Sequence, residues 1–237
     1  MDKIGLPMQR HDRQLSMALV LAFVVVLTAA YAIDRAGYWP RALTTDNGLD
    51  CPPLPEVSQA LARRDYDQAI RSYTEVLAKT FSSRDAACLL RDRAHAKEQI
   101  SDTAGAEADW NEAIRISPTE ARLYSSRGFF YLGQKHYDLA LADFEHGRQI
   151  APRNSAFPYG LGRTYASQGK LKDAVEAYSE TIRLAPEMYT AFRWRAKAYR
   201  ELHMDIEAAR DDERAQALEK KFWDAVARTG AKPPKGK

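Results

Sequence analysis

The sequence predicts an all-α fold, a solenoid of about five helical hairpins plus one N-terminal transmembrane helix. Three observations carry this. A 34-residue pattern recurs along most of the chain, a 19-residue uncharged run lies near its start, and the remainder reads as a polar, water-soluble body. The composition is 45% hydrophobic and 28% charged, with a mean hydropathy of -0.51. Those values place the 237 residues among globular chains and exclude a polytopic membrane protein.

The repeat comes first because its period sets the architecture. Residues 121–154 align without a gap on residues 155–188: Gly128 falls on Gly162, Tyr131 on Tyr165, Ala140 on Ala174, Phe144 on Tyr178, Ile150 on Leu184 and Pro152 on Pro186. One period back, residues 87–120 place Ala94, Ala106, Trp110, Ile116 and Pro118 at the matching positions, and one period forward, 189–222 place Ala196, Tyr199, Ala208 and Leu218. A fifth copy begins near residue 50, with Tyr66, Ala69 and Tyr73 in phase and three extra residues before the next. Position 8 is small or modest throughout (Val57, Ala94, Gly128, Gly162, Ala196) and position 20 is always alanine (Ala69, Ala106, Ala140, Ala174, Ala208). Such positions suit close crossings of two helix backbones. Aromatics at positions 11 and 24 fill the space between hairpins, and proline at position 32 stops the second helix.

The two ends depart from the pattern. Repeat one opens on Cys51-Pro52-Pro53-Leu54-Pro55, so its first helix is predicted to be short and to start near Pro55 or Glu56. Repeat two has Lys97 and Thr103 where aromatics are expected, which predicts weaker packing there. Repeat five has Asp205 and Asp212, and Lys220 replaces the terminating proline. Its second helix is therefore predicted to run on through Leu218, Phe222 and Val226 to Thr229, with Gly230 as the stop, as a polar-faced cap. The predicted organisation is a tail over 1–14, an apolar segment over 15–33, a linker over 34–49, a solenoid over 50–230 and a disordered basic tail over 231–237.

Leu15 to Ile33 reads LSMALVLAFVVVLTAAYAI, without charge or proline, and 19 helical residues span roughly the hydrocarbon core of a bilayer. Lys3, Arg10 and Arg13 precede it, and Arg35 and Arg41 follow, a bias towards a cytoplasmic N-terminus. Tyr31, Tyr38 and Trp39 are placed to anchor its outer end. Two readings stay open. The run is an uncleaved anchor, or Ala30-Tyr31-Ala32 is a signal-cleavage site that starts the mature chain at Ile33. The first cysteine, Cys51, lies too far on for lipoprotein anchoring.

No motif for hydrolysis, metal catalysis or phosphate binding is present, and the five histidines fall on unrelated repeat positions. No enzyme, metal or cofactor is expected. Residues 217–237 carry +4 and residues 1–14 carry +1 of the formal +3, leaving 15–216 at -2, so no broad basic field for nucleic acid exists.

The period, the alanine at position 20 and the helix-stopping proline resemble the tetratricopeptide repeat family over residues 50–222, most specifically over 121–188. The resemblance implies a right-handed α-solenoid and a non-enzymatic module that binds protein. It also implies that positions 2, 5, 6, 9 and 12 of the first helices line an inner groove. On this chain the groove takes Arg91, Asp92, His95 and Glu98 from repeat two, and Arg122, Ser125, Ser126 and Phe129 from repeat three. Repeat four adds Tyr159 and Arg163; repeat five adds Arg193, Trp194, Lys197 and Arg200. Its C-terminal end is basic and aromatic, suited to an extended, acidic peptide or protein segment. The carboxylate-clamp subtype is not matched, since Asp92, His95, Ser126 and Phe129 stand where it needs asparagines. Taken singly, any of these arginines could equally be a solvated helix residue.

Cys51 and Cys88 share the second position of consecutive repeats, so stacked repeats bring them to one interface, where a disulfide would pin the shortened first helix. The other reading is a buried small residue at 88 and a free thiol at 51. The functional expectation is a membrane-tethered scaffold whose repeats face the periplasm of a bacterial-type inner membrane. Two alternatives keep the fold: a cleaved, soluble periplasmic chaperone-like binding factor, or an accessory subunit of an envelope enzyme complex.

Overall fold

The computed structural model describes residues 51, 54–80 and 82–228. The expected tail over 1–14, the apolar run over 15–33, the linker over 34–49 and the basic tail over 231–237 lie outside the described residues. Among the described residues no helix is long and apolar enough to cross a membrane.

Ten α-helices and no strand are found among the described residues: α1 (Pro55–Ala62), α2 (Tyr66–Leu77), α3 (Ser83–Gln99), α4 (Thr103–Ile116), α5 (Ala121–Gly133), α6 (Tyr137–Ile150), α7 (Ala156–Ser167), α8 (Leu171–Leu184), α9 (Tyr189–Glu201) and α10 (Asp205–Arg228). The first eight pair as four consecutive hairpins, and α9 and α10 form a fifth through the Arg195–Asp211 pair and the packing of Phe192 on Ala215 and Leu218. Each first helix also packs on the second helix before it, and α5, α7 and α9 contact one another in turn. This nearest-neighbour packing makes a solenoid. Described residues up to Phe222 belong to one compact unit, and α10 continues beyond it to Arg228.

The helix ends follow local chemistry. Leu54 precedes a proline at the start of α1, which is eight residues long as its Pro-rich entry dictates. Asp65, Ser82 and Asp102 cap α2, α3 and α4 by accepting from Gln68, Asp85 and Gly105 N–H groups. The three extra residues before repeat two lengthen α3 to 17 residues instead of forming a loop. Helices α4, α6 and α8 end at Ile116, Ile150 and Leu184, two residues before Pro118, Pro152 and Pro186. With Lys220 in place of proline, α10 runs 24 residues.

Alanine at position 20 is essentially without solvent exposure in all five repeats, 2% at most. The role of position 8 differs from the expectation. A Cβ on Gly128 would stand 2.7 Å from Cε1 of Phe144, and one on Gly162 would stand 2.7 Å from Cδ1 of Tyr178. Each missing side chain therefore makes room for the aromatic ring at position 24 of the same repeat, not for a second backbone. Phe144 and Tyr178 are fully buried as a result.

The turn inside each hairpin also repeats. The residue at position 15 is left-handed in every copy: Arg64 (φ 59), Ser101 (φ 63), Lys135 (φ 62), Gly169 (φ 74) and His203 (φ 60). The N–H after it closes the turn on the carbonyl of position 11, as in Lys170 to Tyr165 at 2.9 Å and His136 to Tyr131 at 2.9 Å. Only Gly169 is the residue type this geometry favours. Lys135→Gly is expected to raise stability by about 0.5–1 kcal/mol, since relief of the left-handed strain exceeds the gain in unfolded-chain freedom. Urea titration checks it; a destabilised variant contradicts it.

Candidate functional site

A second periodic feature underlies the site and was not read from the sequence. Arginine at position 7 and aspartate at position 23 form a bidentate pair, Nε and Nη2 each donating to one carboxylate oxygen, in repeats two, three and five. Arg93 meets Asp109 (2.8 and 2.7 Å), Arg127 meets Asp143 (2.9 and 2.7 Å) and Arg195 meets Asp211 (2.7 and 2.8 Å). The third guanidinium nitrogen donates to the preceding repeat, to Thr74 Oγ1, Asn111 Oδ1 and Ser179 Oγ respectively. Each arginine thus joins its own hairpin to the one before, and bidentate geometry holds the repeats in register. Burial pushes the Asp143 carboxyl up, while the hydrogen bonds from Arg127 pull it down. The signal was available as an Arg/Asp pair recurring 16 residues apart. Repeat four replaces it with Leu161 and Ala177.

Lys97 belongs to the same layer. Its ammonium lies 2.9 Å from Asp109 and donates to the Gly105 carbonyl at 3.2 Å, so the missing aromatic is replaced by an ion pair and not by the loose packing expected. The buried Trp110 indole donates to Glu98 Oε1 at 2.9 Å, which satisfies the one polar atom of that ring.

With the hairpins so held, the predicted first-helix residues fall into three groups. Phe129, Tyr159, Arg163, Trp194 and Lys197 form one strip across α5, α7 and α9. Phe129 and Tyr159 rings lie 6.2 Å apart, and the Arg163 guanidinium stacks 4.1 Å above Trp194. Arg163 also donates to the Tyr159 hydroxyl at 3.4 Å, and Lys197 lies 5.4 Å from the same indole. Phe129 and Tyr159 are buried, anchoring the strip through Phe144 and Tyr178. Arg163 and Trp194 are half-buried and Lys197 is exposed. Cations resting on an indole face are held by its electron-rich surface.

The second group stands at the other end. Cys51 and Cys88 form a disulfide with Cα atoms 5.5 Å apart. Arg91 is buried beside it, its guanidinium 3.3 Å from the Cys51 sulfur and 3.4 Å from that of Cys88, and bonded to Asp92 at 3.0 Å. Arg91 therefore braces the bridge and presents no charge to a groove. His95 is edge-on to Trp110 at 4.8 Å and close to Glu98 at 3.6 Å.

The third group consists of cations engaged by the terminal helix. Arg193 pairs with Glu219 at 2.5 Å and stacks on Tyr189 at 5.5 Å, and Arg200 pairs with Asp212. These acids on α10 neutralise part of the basic end expected from sequence. Arg122 and Ser125 sit half-buried on α5, Ser125 donating to the Arg122 carbonyl at 3.0 Å. The strip around Trp194 is the part of the predicted groove in which the residues act together.

Two family models, each described as tetratricopeptide repeat, match residues 54–121 and 131–193. Human tetratricopeptide repeat protein 13 is 29% identical over 92 residues, which are 39% of this chain and 11% of the relative. The small glutamine-rich tetratricopeptide repeat-containing protein 2 of Saccharomyces cerevisiae is 34% identical over 73 residues, 31% of this chain and 21% of the relative. The match thus spans about a tenth to a fifth of these relatives' lengths. A crystal structure of MamA shares the fold, with a TM-score of 0.60 at 22% identity, covering 72% of this chain and 98% of that one.

Proposed function

Because the chain belongs to the tetratricopeptide repeat family, we propose that it is a non-enzymatic scaffold that holds a protein or extended peptide along its first-helix face. The observation that carries this reading is the strip from Phe129 to Lys197. Buried rings there present a tryptophan and two cations on adjoining helices, the residue types that dominate binding energy at interfaces. Its charge favours an acidic partner. Apolar residues 15–33 supply the membrane tether, and the Cys51–Cys88 bridge supports an oxidising, periplasmic location for the repeats on a bacterial-type inner membrane.

Reversing Arg163 and Lys197 together to glutamate in the full chain is expected to cut partner recovery by co-purification at least tenfold, about 1.4 kcal/mol of binding. Helicity by circular dichroism should not change, because neither cation belongs to an Arg–Asp pair between repeats. Undiminished recovery contradicts the assignment of the face.

A further inference from the structure

The chemistry of one corner of this face is more specific than a basic patch. Between α7 and α9 a hollow of ≈ 100 Å³ is lined by Arg163, Ala166, Ser167, Trp194, Lys197 and Glu201, among others. That volume takes one side chain. Its walls combine small apolar groups with two cations resting on one indole. Lys197 makes no ion pair among the described residues; what holds it is the Trp194 ring. Together they offer hydrogen-bond donors from two adjoining helices that a single carboxylate can bridge.

We propose that this hollow receives one acidic side chain, Asp or Glu, from within an extended polypeptide, its carboxylate bound by Arg163 and Lys197 against Trp194. The inference rests on the first-helix face being the docking face. Glu201 on the rim is an acceptor for a backbone N–H of a chain that continues past the seated residue, which favours an internal side chain over a chain end.

The test uses the full chain and three fluorescein-labelled decapeptides read by fluorescence anisotropy. One is of alternating Glu and Ala with an amidated end, one is its Gln counterpart, and one is an all-Ala peptide with a free carboxylate end. The Glu peptide is expected to bind at least tenfold more tightly than the other two, a difference of about 1.4 kcal/mol. Arg163→Gln and Lys197→Gln should each remove most of that preference. Equal binding of the Glu and Gln peptides would overturn the inference while leaving the docking face intact. Selective binding of the free-ended all-Ala peptide would overturn it in favour of a chain end. Absence of binding by all three would overturn it as well, and the partner-recovery measurement then decides the docking face separately.

Discussion

Replacing Phe144 by alanine is expected to lower the stability of the solenoid by about 3–5 kcal/mol, the cost of deleting a large ring from a site that cannot collapse. The ring is fully buried, and a Cβ added at Gly128 or at Gly160 would collide with it, so it is the plug between α5 and α7. It also meets Phe129 edge-on at 4.9 Å, so the loss reaches the binding strip. In a unit of this size the melting temperature should fall by roughly 10 °C. Chemical denaturation with circular dichroism and tryptophan emission as probes measures the change. A loss below 1 kcal/mol would show that the two glycines do not make a rigid slot for the ring.

Opening the Cys51–Cys88 bridge is expected to cost about 3–4 kcal/mol, the loop-closure entropy for a sequence separation of 37 residues. The loss should be local, because each hairpin contacts only its neighbours. Cys51→Ala, or a phosphine reductant on the native chain, should raise amide exchange in α1, α2 and the first turns of α3. Protection in α6 to α9 should stay as it is. Arg91 sharpens the prediction, since reduction replaces the bridged sulfurs beside its buried guanidinium by two separate thiols. Uniform loss of protection across all ten helices would contradict the local account.

The fold was legible because it repeats. A single alanine at position 20 says little, but five in phase state where helices cross, and the proline or its absence states where α4, α6, α8 and α10 stop. The short α1 followed from Pro55. What could not be read depended on contacts between repeats. The Arg–Asp pairs at 93/109, 127/143 and 195/211 were visible as a 16-residue spacing, yet only the stacked structure shows the third donor reaching the repeat before. Left-handed turns at Arg64, Ser101, Lys135 and His203 carry no glycine to announce them. Closing bonds to position 11 impose that geometry on ordinary residues.

The candidate site was legible in outline only. Helix position placed Tyr159, Arg163, Trp194 and Lys197 on one side of the first helices, and they do form a strip. Position could not show that Arg193 is engaged by Glu219, because that acid lies 26 residues away on the extended α10. Nor could it show that Arg91 is spent on the disulfide. Competing partners decide whether an arginine is available, and those partners come from tertiary structure.

The central claim is that a polypeptide partner lies along the first helices at repeats three to five. The most direct measurement places a photo-crosslinking amino acid at Ser125 or Lys197 on that face, and at Lys172 on the second helix of repeat four, in the full chain inside its own cells. The account predicts the same adduct from Ser125 and from Lys197, with Lys172 giving none, and its loss when Arg163 is reversed to glutamate. Adducts formed from Lys172 alone would put the partner on another face and contradict it.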